Sequence, residues 1–318
     1  MHLTSFLKLV ELQTKIASFT PFVFGVLYTL YRFDTLKPLH VLYFFISMLC
    51  FDMFTTALNN YMDYKRAVKK EGFNYETHNA IVQYKLKEKT VLTVLAILFI
   101  TAVVFGLITF LSSDYVVLIL GVMCFCVGIL YSAGPIPISR TAFGEFFSGF
   151  FMGFVLPFIL IYLSIFDQNP IHLVLQGPNL IIALSWELLL PIILTTLPAM
   201  FCIANIMLAN NICDMEDDLP NKRYTLPIHI GKKKALILYD ALYLFSYLDI
   251  LLCLLLGYLP LVSLLTLLTA IKVFKNLKAF HKLQTKKDTF ALAVLNLILI
   301  MVPLILSLLV GFAMNRLL

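Results

Sequence analysis

Charge is scarce in this chain of 318 residues: Asp, Glu, Lys and Arg make up only 13% of it, whereas a soluble domain usually carries about 25%. Together with 61% apolar residues, this excludes an ordinary cytosolic enzyme, a disordered protein and a secreted disulfide scaffold. CxxC pairs are absent, and the six Cys lie within or beside apolar runs, so we predict small buried side chains rather than metal ligands. The net charge is +6, but the basic residues form short clusters between apolar runs, so nucleic acid is not an expected partner.

Long apolar runs dominate the sequence instead. A helix crosses the hydrocarbon layer with about 17–25 apolar residues, and unsatisfied backbone groups in lipid cost several kcal/mol each, so such runs must be helical. The sequence therefore predicts an all-α polytopic membrane bundle, a single domain over residues 1–318. The nine predicted spans are 16–32, 40–60, 91–112, 115–133, 143–166, 188–212, 235–256, 258–275 and 289–314.

The distribution of Lys and Arg predicts the orientation of these spans. With nine spans, 21 of the 24 basic residues fall on the side of the N-terminus. The opposite side holds only Arg32, Lys37 and Arg316. Since positive residues are retained in the cytoplasm, we expect a cytoplasmic N-terminus in the cell membrane.

Two polar segments follow apolar runs on the same predicted side, and each has an Asn with an Asp four residues later. The first box contains Asn59 and Asp63 and is followed by Lys65 and Arg66. The second box contains Asn210, Asp214 and Asp218 and is followed by Lys222 and Arg223. The repetition indicates an internal duplication of a four-helix unit.

Helix geometry places each box on one helix face, because four residues turn about 400°. If the two helices face each other, three carboxylates (Asp63, Asp214 and Asp218) and two amide oxygens converge near the membrane surface. Hard oxygen ligands of this kind suit Mg²⁺, which takes part of its shell from substrate phosphates. The adjacent Lys and Arg residues supply positive charge for the same phosphates. We therefore predict an active site in the cytoplasmic loops.

The second box, Asn210–Asp218 followed by Lys222–Leu226, resembles the second aspartate motif of the UbiA superfamily of intramembrane prenyltransferases. Three more segments resemble the branch that prenylates 1,4-dihydroxy-2-naphthoate in menaquinone synthesis. They are Glu11–Lys15, Tyr131–Pro137 and Phe143–Glu145. The first box departs from the superfamily pattern, since Asp63 is its only acid, and Glu71 is a candidate substitute.

The resemblance implies nine helices around a central cavity and Mg²⁺-dependent transfer of a polyprenyl group from an allylic diphosphate to an aromatic acceptor. For dihydroxynaphthoate, CO₂ is lost and demethylmenaquinone forms. The same resemblance implies Mg²⁺ bound by the three aspartates, with Asn59 and Asn210 in the catalytic set. It also implies that the diphosphate is bound by Lys65, Arg66, Lys222 and Arg223. Tyr131 would line a π-rich chamber around the allylic cation. The oligomeric state is not predicted.

Asp52 lies inside the second predicted span, 7 and 11 residues before Asn59 and Asp63, and therefore on the same helix face. Two interpretations stay open: contact with the acceptor, or a satisfied polar group bonded to a neighbouring helix.

Two further functions compete with naphthoate prenylation. One is a different aromatic acceptor, such as 4-hydroxybenzoate or homogentisate. The other is a membrane transporter. Acids inside the spans, Asp52, Asp240 and Asp249, would be consistent with this function. Transporters usually place such acids near the bilayer midplane, whereas the main acids here cluster at one rim.

Overall fold

The computed structural model describes residues 2–66, 79–176 and 179–317. Helices account for most of them, and the contacts divide the chain into two compact units, residues 1–16 with 38–137 and residues 17–37 with 138–318. The helices are α1 Leu3–Leu9, α2 Ile16–Phe33, α3 Pro38–Arg66, α4 Ala80–Gln83, α5 Glu88–Leu111, α6 Tyr115–Ser132, α7 Gly144–Ser148, α8 Leu156–Ile165, α9 Trp186–Cys213, α10 Met215–Asp218, α11 Leu226–Ile230, α12 Lys232–Leu255, α13 Leu264–Leu267, α14 Ala270–Lys282 and α15 Ala291–Leu317.

The first unit is built on the pairing of α3 with α5. Its core brings side chains of α1 and α4 against these two helices, with Leu9, Phe54 and Leu95 among the buried residues. Polar side chains hold the packing at specific points: the Ser47 hydroxyl donates to the carbonyl of Ala102 at 2.8 Å. Such bonds between helices are favourable where lipid offers no other partner.

In the second unit, α9 packs against α12 and against a π-helical stretch, Gly149–Val155, that joins α7 to α8. Gly149 and Gly153 lie one turn apart and face α9. A Cβ atom at Gly153 would lie 2.4 Å from the Cα of Met200. The absence of a side chain therefore allows the two backbones to approach closely, as small residues do in membrane helix pairs.

The segment between the predicted spans 143–166 and 188–212 contains an antiparallel pair of strands, β1 Ile171–Gln176 and β2 Asn179–Leu184, which periodicity did not predict. Their register pairs Ile171 with Leu184 and Gln176 with Asn179. The hairpin is rich in β-branched and other apolar residues, which favour strands when the run is too short for a membrane helix.

Eight helical segments in the described part of the chain are long and apolar enough to cross a membrane. The chain is therefore a multi-pass membrane protein. The eight segments are Leu12–Phe33, Pro38–Lys65, Glu88–Leu111, Tyr115–Ser132, Gly144–Gln168, Trp186–Cys213, Lys232–Leu255 and Ala291–Leu317. They correspond to eight of the nine predicted spans.

The eighth predicted span, 258–275, is not confirmed as a continuous helix. The chain there forms a 3-10 turn at Leu261–Ser263, the short α13, and then the amphipathic α14, which runs on to Lys282. Lysines at spacings of three or four residues, Lys272, Lys275, Lys278 and Lys282, give α14 a polar exposed face. Because this helix is only partly apolar, a search for apolar runs did not locate its bounds.

Opposite ends of α15 contact different parts of the second unit. Near its C-terminal end, Arg316 forms an ion pair with Asp34 at 2.7 Å. Just before its first turn, Lys286 contacts Asp214 at the end of α9. The second box and the sparse basic residues Arg32 and Arg316 therefore lie at different ends of this unit.

Candidate active site

The first box occupies the last two turns of α3. The Asn59 amide donates to Asp63 Oδ2 at 3.3 Å, which is the i, i+4 contact that the spacing predicts. The other end of the same amide is fixed by the Ser132 hydroxyl, which donates to Asn59 Oδ1 at 3.1 Å. The Asn59 side chain is thereby oriented with its nitrogen toward the carboxylate.

Lys65 follows this box and forms an ion pair with Glu88, at 2.6 Å between Nζ and Oε1. Tyr61 donates to the same carboxylate oxygen at 2.7 Å. Sequence reasoning missed Glu88, which begins α5, because no local pattern relates it to α3. Arg66 is the last residue of α3, and Glu71 lies outside the described residues.

The second box begins in the last turn of α9. The Asn210 amide lies 3.4 Å from Asp214 Oδ2 and donates to it, which repeats the Asn59–Asp63 geometry of the first unit. The ammonium of Lys286 contacts the same oxygen at 2.6 Å. Lys286 was not among the predicted site residues, because it comes from the segment between α14 and α15.

Asp218 ends the short helix α10 and is only 3% exposed. Arg223 forms an ion pair with its Oδ1 at 3.2 Å, and the buried Thr225 donates to its Oδ2 at 3.3 Å. Burial raises the pKa of Asp218 to about 6. The positive charge of Arg223 lowers this pKa, whereas the nearby Asp214 carboxylate raises it. An additional cation would therefore stabilise the ionised form.

Glu145 and Asn211 form a buried pair beside this box. The Asn211 amide donates to Glu145 Oε1 at 2.8 Å. The other oxygen, Oε2, is buried and has no hydrogen-bond partner in the described part of the chain. The sequence analysis uses Glu145 only as part of the segment Phe143–Glu145 that carries the resemblance, so its contact with Asn211 is a finding of the structure.

Lys222 and Tyr131 are two further predicted site residues. Lys222 is exposed, in a turn where its φ of 55° is left-handed. Tyr131 is half-buried in the last turn of α6. Their assignments to diphosphate and allylic cation stay predictions.

Asp52 is bonded to a neighbouring element. Lys15 Nζ lies 2.7 Å from Asp52 Oδ1, and the same ammonium donates to the Thr56 hydroxyl at 2.7 Å. Both charges are largely buried, so each compensates the other. This geometry favours the interpretation of Asp52 as a satisfied structural group.

The two other acids inside spans also contact side chains nearby. Asp240 lies 2.9 Å from His281, and Asp249 accepts from the Cys253 thiol at 3.8 Å. Neither contact joins these acids to the second box.

The carboxylates of Asp214 and Asp218 fit a divalent cation that takes its remaining ligands from substrate oxygens. No group of three or more His, Cys, Asp or Glu side chains is arranged to hold a metal within the described ranges. However, Mg²⁺ needs only one or two carboxylates when phosphates supply further ligands, and Asp214 and Asp218 each already attract a cationic side chain. Asp63 belongs to the other unit, and its meeting with this pair stays a prediction.

Comparison with known proteins agrees with the membrane fold. The model of the UbiA prenyltransferase family matches residues 18–300. The chain thus belongs to a class of multi-pass membrane enzymes. Specifically, it is a member of the UbiA prenyltransferase family and a prenyltransferase.

Similar proteins include 1,4-dihydroxy-2-naphthoate octaprenyltransferase of Bacillus subtilis strain 168, which is 29% identical over 237 residues, 74% of this chain and 68% of that protein. The ligand-free structure of a UbiA homologue from Aeropyrum pernix K1 has a TM-score of 0.67 at 17% identity and covers 92% of this chain and 98% of its own. A UbiA homologue from Archaeoglobus fulgidus, bound to GPP and Mg²⁺, has a TM-score of 0.54 at 13% identity and covers 97% of each chain. The two structures establish the likeness of fold.

Proposed function

We propose that the protein transfers a polyprenyl group from an allylic prenyl diphosphate to 1,4-dihydroxy-2-naphthoate, with loss of CO₂, to give demethylmenaquinone. The observation that carries the proposal is the pair Asp214 and Asp218, two buried carboxylates that each contact a cationic side chain. The naphthoate prenyltransferase of Bacillus subtilis supports the choice of acceptor. The bound GPP and Mg²⁺ of the Archaeoglobus fulgidus homologue support the donor class and the metal.

In this proposal Asp214 and Asp218 hold Mg²⁺, with Asp63 as the third carboxylate. When bound, Mg²⁺ supplies Lewis-acid stabilisation of the charge that develops on the diphosphate. Arg223, Lys222, Lys65 and Arg66 bind the diphosphate oxygens by charge-assisted hydrogen bonds. Asn59 and Asn210 keep their aspartates in place through the amide contacts at 3.3 and 3.4 Å.

We also propose nine crossings, with both boxes at the cytoplasmic face. The eighth crossing is the span predicted at 258–275, which is interrupted in the structure between Leu261 and Lys282. The separation of Lys286 and Arg316 toward opposite ends of α15 supports this arrangement, because positive residues then concentrate on one side.

The acceptor is tested by incubating the purified protein in detergent with Mg²⁺, geranyl diphosphate and one acceptor at a time: 1,4-dihydroxy-2-naphthoate, 4-hydroxybenzoate or homogentisate. We expect the naphthoate product, with a mass that shows the loss of CO₂, and stoichiometric release of diphosphate. Diphosphate release in detergent also separates an enzyme from a transporter, since no vectorial movement is possible there. Preference for another acceptor, or a product that retains the carboxylate, would contradict the proposal.

Removal of the metal is expected to stop the reaction reversibly. Excess EDTA should lower the initial rate to background, because the diphosphate charge is then no longer neutralised. Added Mg²⁺ should restore the rate, and EDTA already saturated with Mg²⁺ is the control. Full activity in excess chelator would argue against the metal.

A further inference from the structure

The segment between α14 and α15 has a fixed local structure. The Thr289 hydroxyl donates to the carbonyl of Thr285 at 3.1 Å and accepts from the Thr285 amide at 3.0 Å. The Thr285 hydroxyl donates to Asp288 Oδ2 at 2.8 Å. These bonds close the turn on itself and set the position of the two residues within it, Lys286 and Lys287.

The two neighbouring lysines differ in their contacts. Lys286 Nζ lies 2.6 Å from Asp214 Oδ2, and its side chain is still 51% exposed. Lys287 is exposed as well and has no ion pair with any described residue. The contact with Asp214 therefore depends on the position of Lys286 in the turn, because the neighbouring Lys287 makes no such contact.

A divalent ion and Lys286 cannot use this oxygen together without strong repulsion. Mg²⁺ binds a carboxylate oxygen at about 2.0–2.1 Å, so an ammonium 2.6 Å from the same atom would place two cations next to each other. Lys286 is half-exposed and regains water when it leaves, so the ion pair is weak enough to exchange.

We propose that Lys286 is the resident counter-ion of Asp214 in the ligand-free protein and that the divalent ion displaces it. This inference rests on the proposed function, which assigns Asp214 to the metal. The ammonium compensates a carboxylate that is otherwise 8% exposed and close to the buried Asp218. The ion pair with Lys286 thus avoids two neighbouring uncompensated charges.

Binding of Mn²⁺ as a probe of the site tests the exchange without any substrate. Mn²⁺ affinity is measured by electron paramagnetic resonance on the purified protein, on Lys286→Met and on Lys287→Met. We expect Lys286→Met to bind Mn²⁺ about three- to tenfold more tightly, which corresponds to the loss of one partly exposed ion pair. Lys287→Met, which removes the same charge from the next residue, should stay within about twofold of the wild type. Equal affinities of the two variants would overturn the inference.

Acetylation of the unaltered protein gives a second test, which does not depend on a variant folding. The rate of modification of each lysine by acetic anhydride is followed by mass spectrometry with and without saturating Mg²⁺. We expect the rate at Lys286 to rise severalfold with Mg²⁺ while the rate at Lys287 stays constant. Lack of change at Lys286, or an equal change at both lysines, would contradict the displacement.

Asp214→Asn separates failure of this inference from failure of the proposed function. If Mn²⁺ binding is lost in Asp214→Asn but unaffected by Lys286→Met, the metal site stands and the counter-ion role is wrong. If neither the wild type nor Lys286→Met shows binding that depends on Asp214, both proposals are overturned.

Discussion

Replacing either Asp214 or Asp218 by Asn is expected to lower the rate of prenyl transfer by about a thousandfold or more, since stabilisation of several kcal/mol by a bound metal would be lost. Asparagine keeps the size of the side chain but removes the negative charge that attracts a divalent ion. The partners of the two carboxylates are unequal. Lys286 is half-exposed and can return to water, whereas Arg223 is more enclosed, so Asp218→Asn should also cost some stability.

Asp217→Asn is the matched control, because Asp217 lies on the same short helix between the two carboxylates but is exposed. Initial rates are compared at saturating donor and acceptor, with gel filtration in detergent to verify folding. We expect Asp217→Asn to keep a near wild-type rate. A wild-type rate in Asp218→Asn would refute its assignment to the metal.

Gly153→Ala is expected to destabilise the second unit by about 3 kcal/mol, at the upper end of the usual cost of overpacking. The added Cβ would lie 2.4 Å from Met200 Cα and 2.5 Å from its amide nitrogen. These are backbone atoms, so α9 itself must shift, and α9 carries Asn210 and leads into Asp214. Thermal unfolding in detergent should show a midpoint lower by about 6–10 °C.

Gly121→Ala is the control for the change from Gly to Ala within a helix. Gly121 lies inside α6, and a Cβ there would meet nothing within 4 Å. Alanine favours a helix over glycine by about 1 kcal/mol, so this variant should be as stable as the wild type or more so. An unchanged midpoint in Gly153→Ala would show that α9 can adjust without cost.

Composition and periodicity predicted the parts of the fold that are encoded locally. Eight spans follow from long apolar runs, and the contacts Asn59–Asp63 and Asn210–Asp214 follow from the helical repeat of four. The hairpin and the interrupted α13–α14 segment were not predicted, because short apolar runs are ambiguous between helix, strand and turn.

The parts of the site that escaped prediction are tertiary contacts. In the local sequence, Lys286 is one of several basic residues in a loop, and Glu88 is one acid at the start of a helix. Their contacts with Asp214 and Lys65 depend on how distant helices pack, which no local repeat encodes. The pairing of Glu145 with Asn211 was hidden for the same reason.

The helix α8 differs from the other membrane segments in that all ten of its residues are buried within the chain. A lysine or arginine introduced on a lipid-facing helix can extend its charged end to the phospholipid headgroups. From the middle of α8, around Leu160 and Ile161, neither headgroups nor water can be reached. A charged substitution in the middle of this helix should therefore destabilise the protein more than the same substitution on a lipid-facing helix, even though α8 carries none of the proposed catalytic side chains.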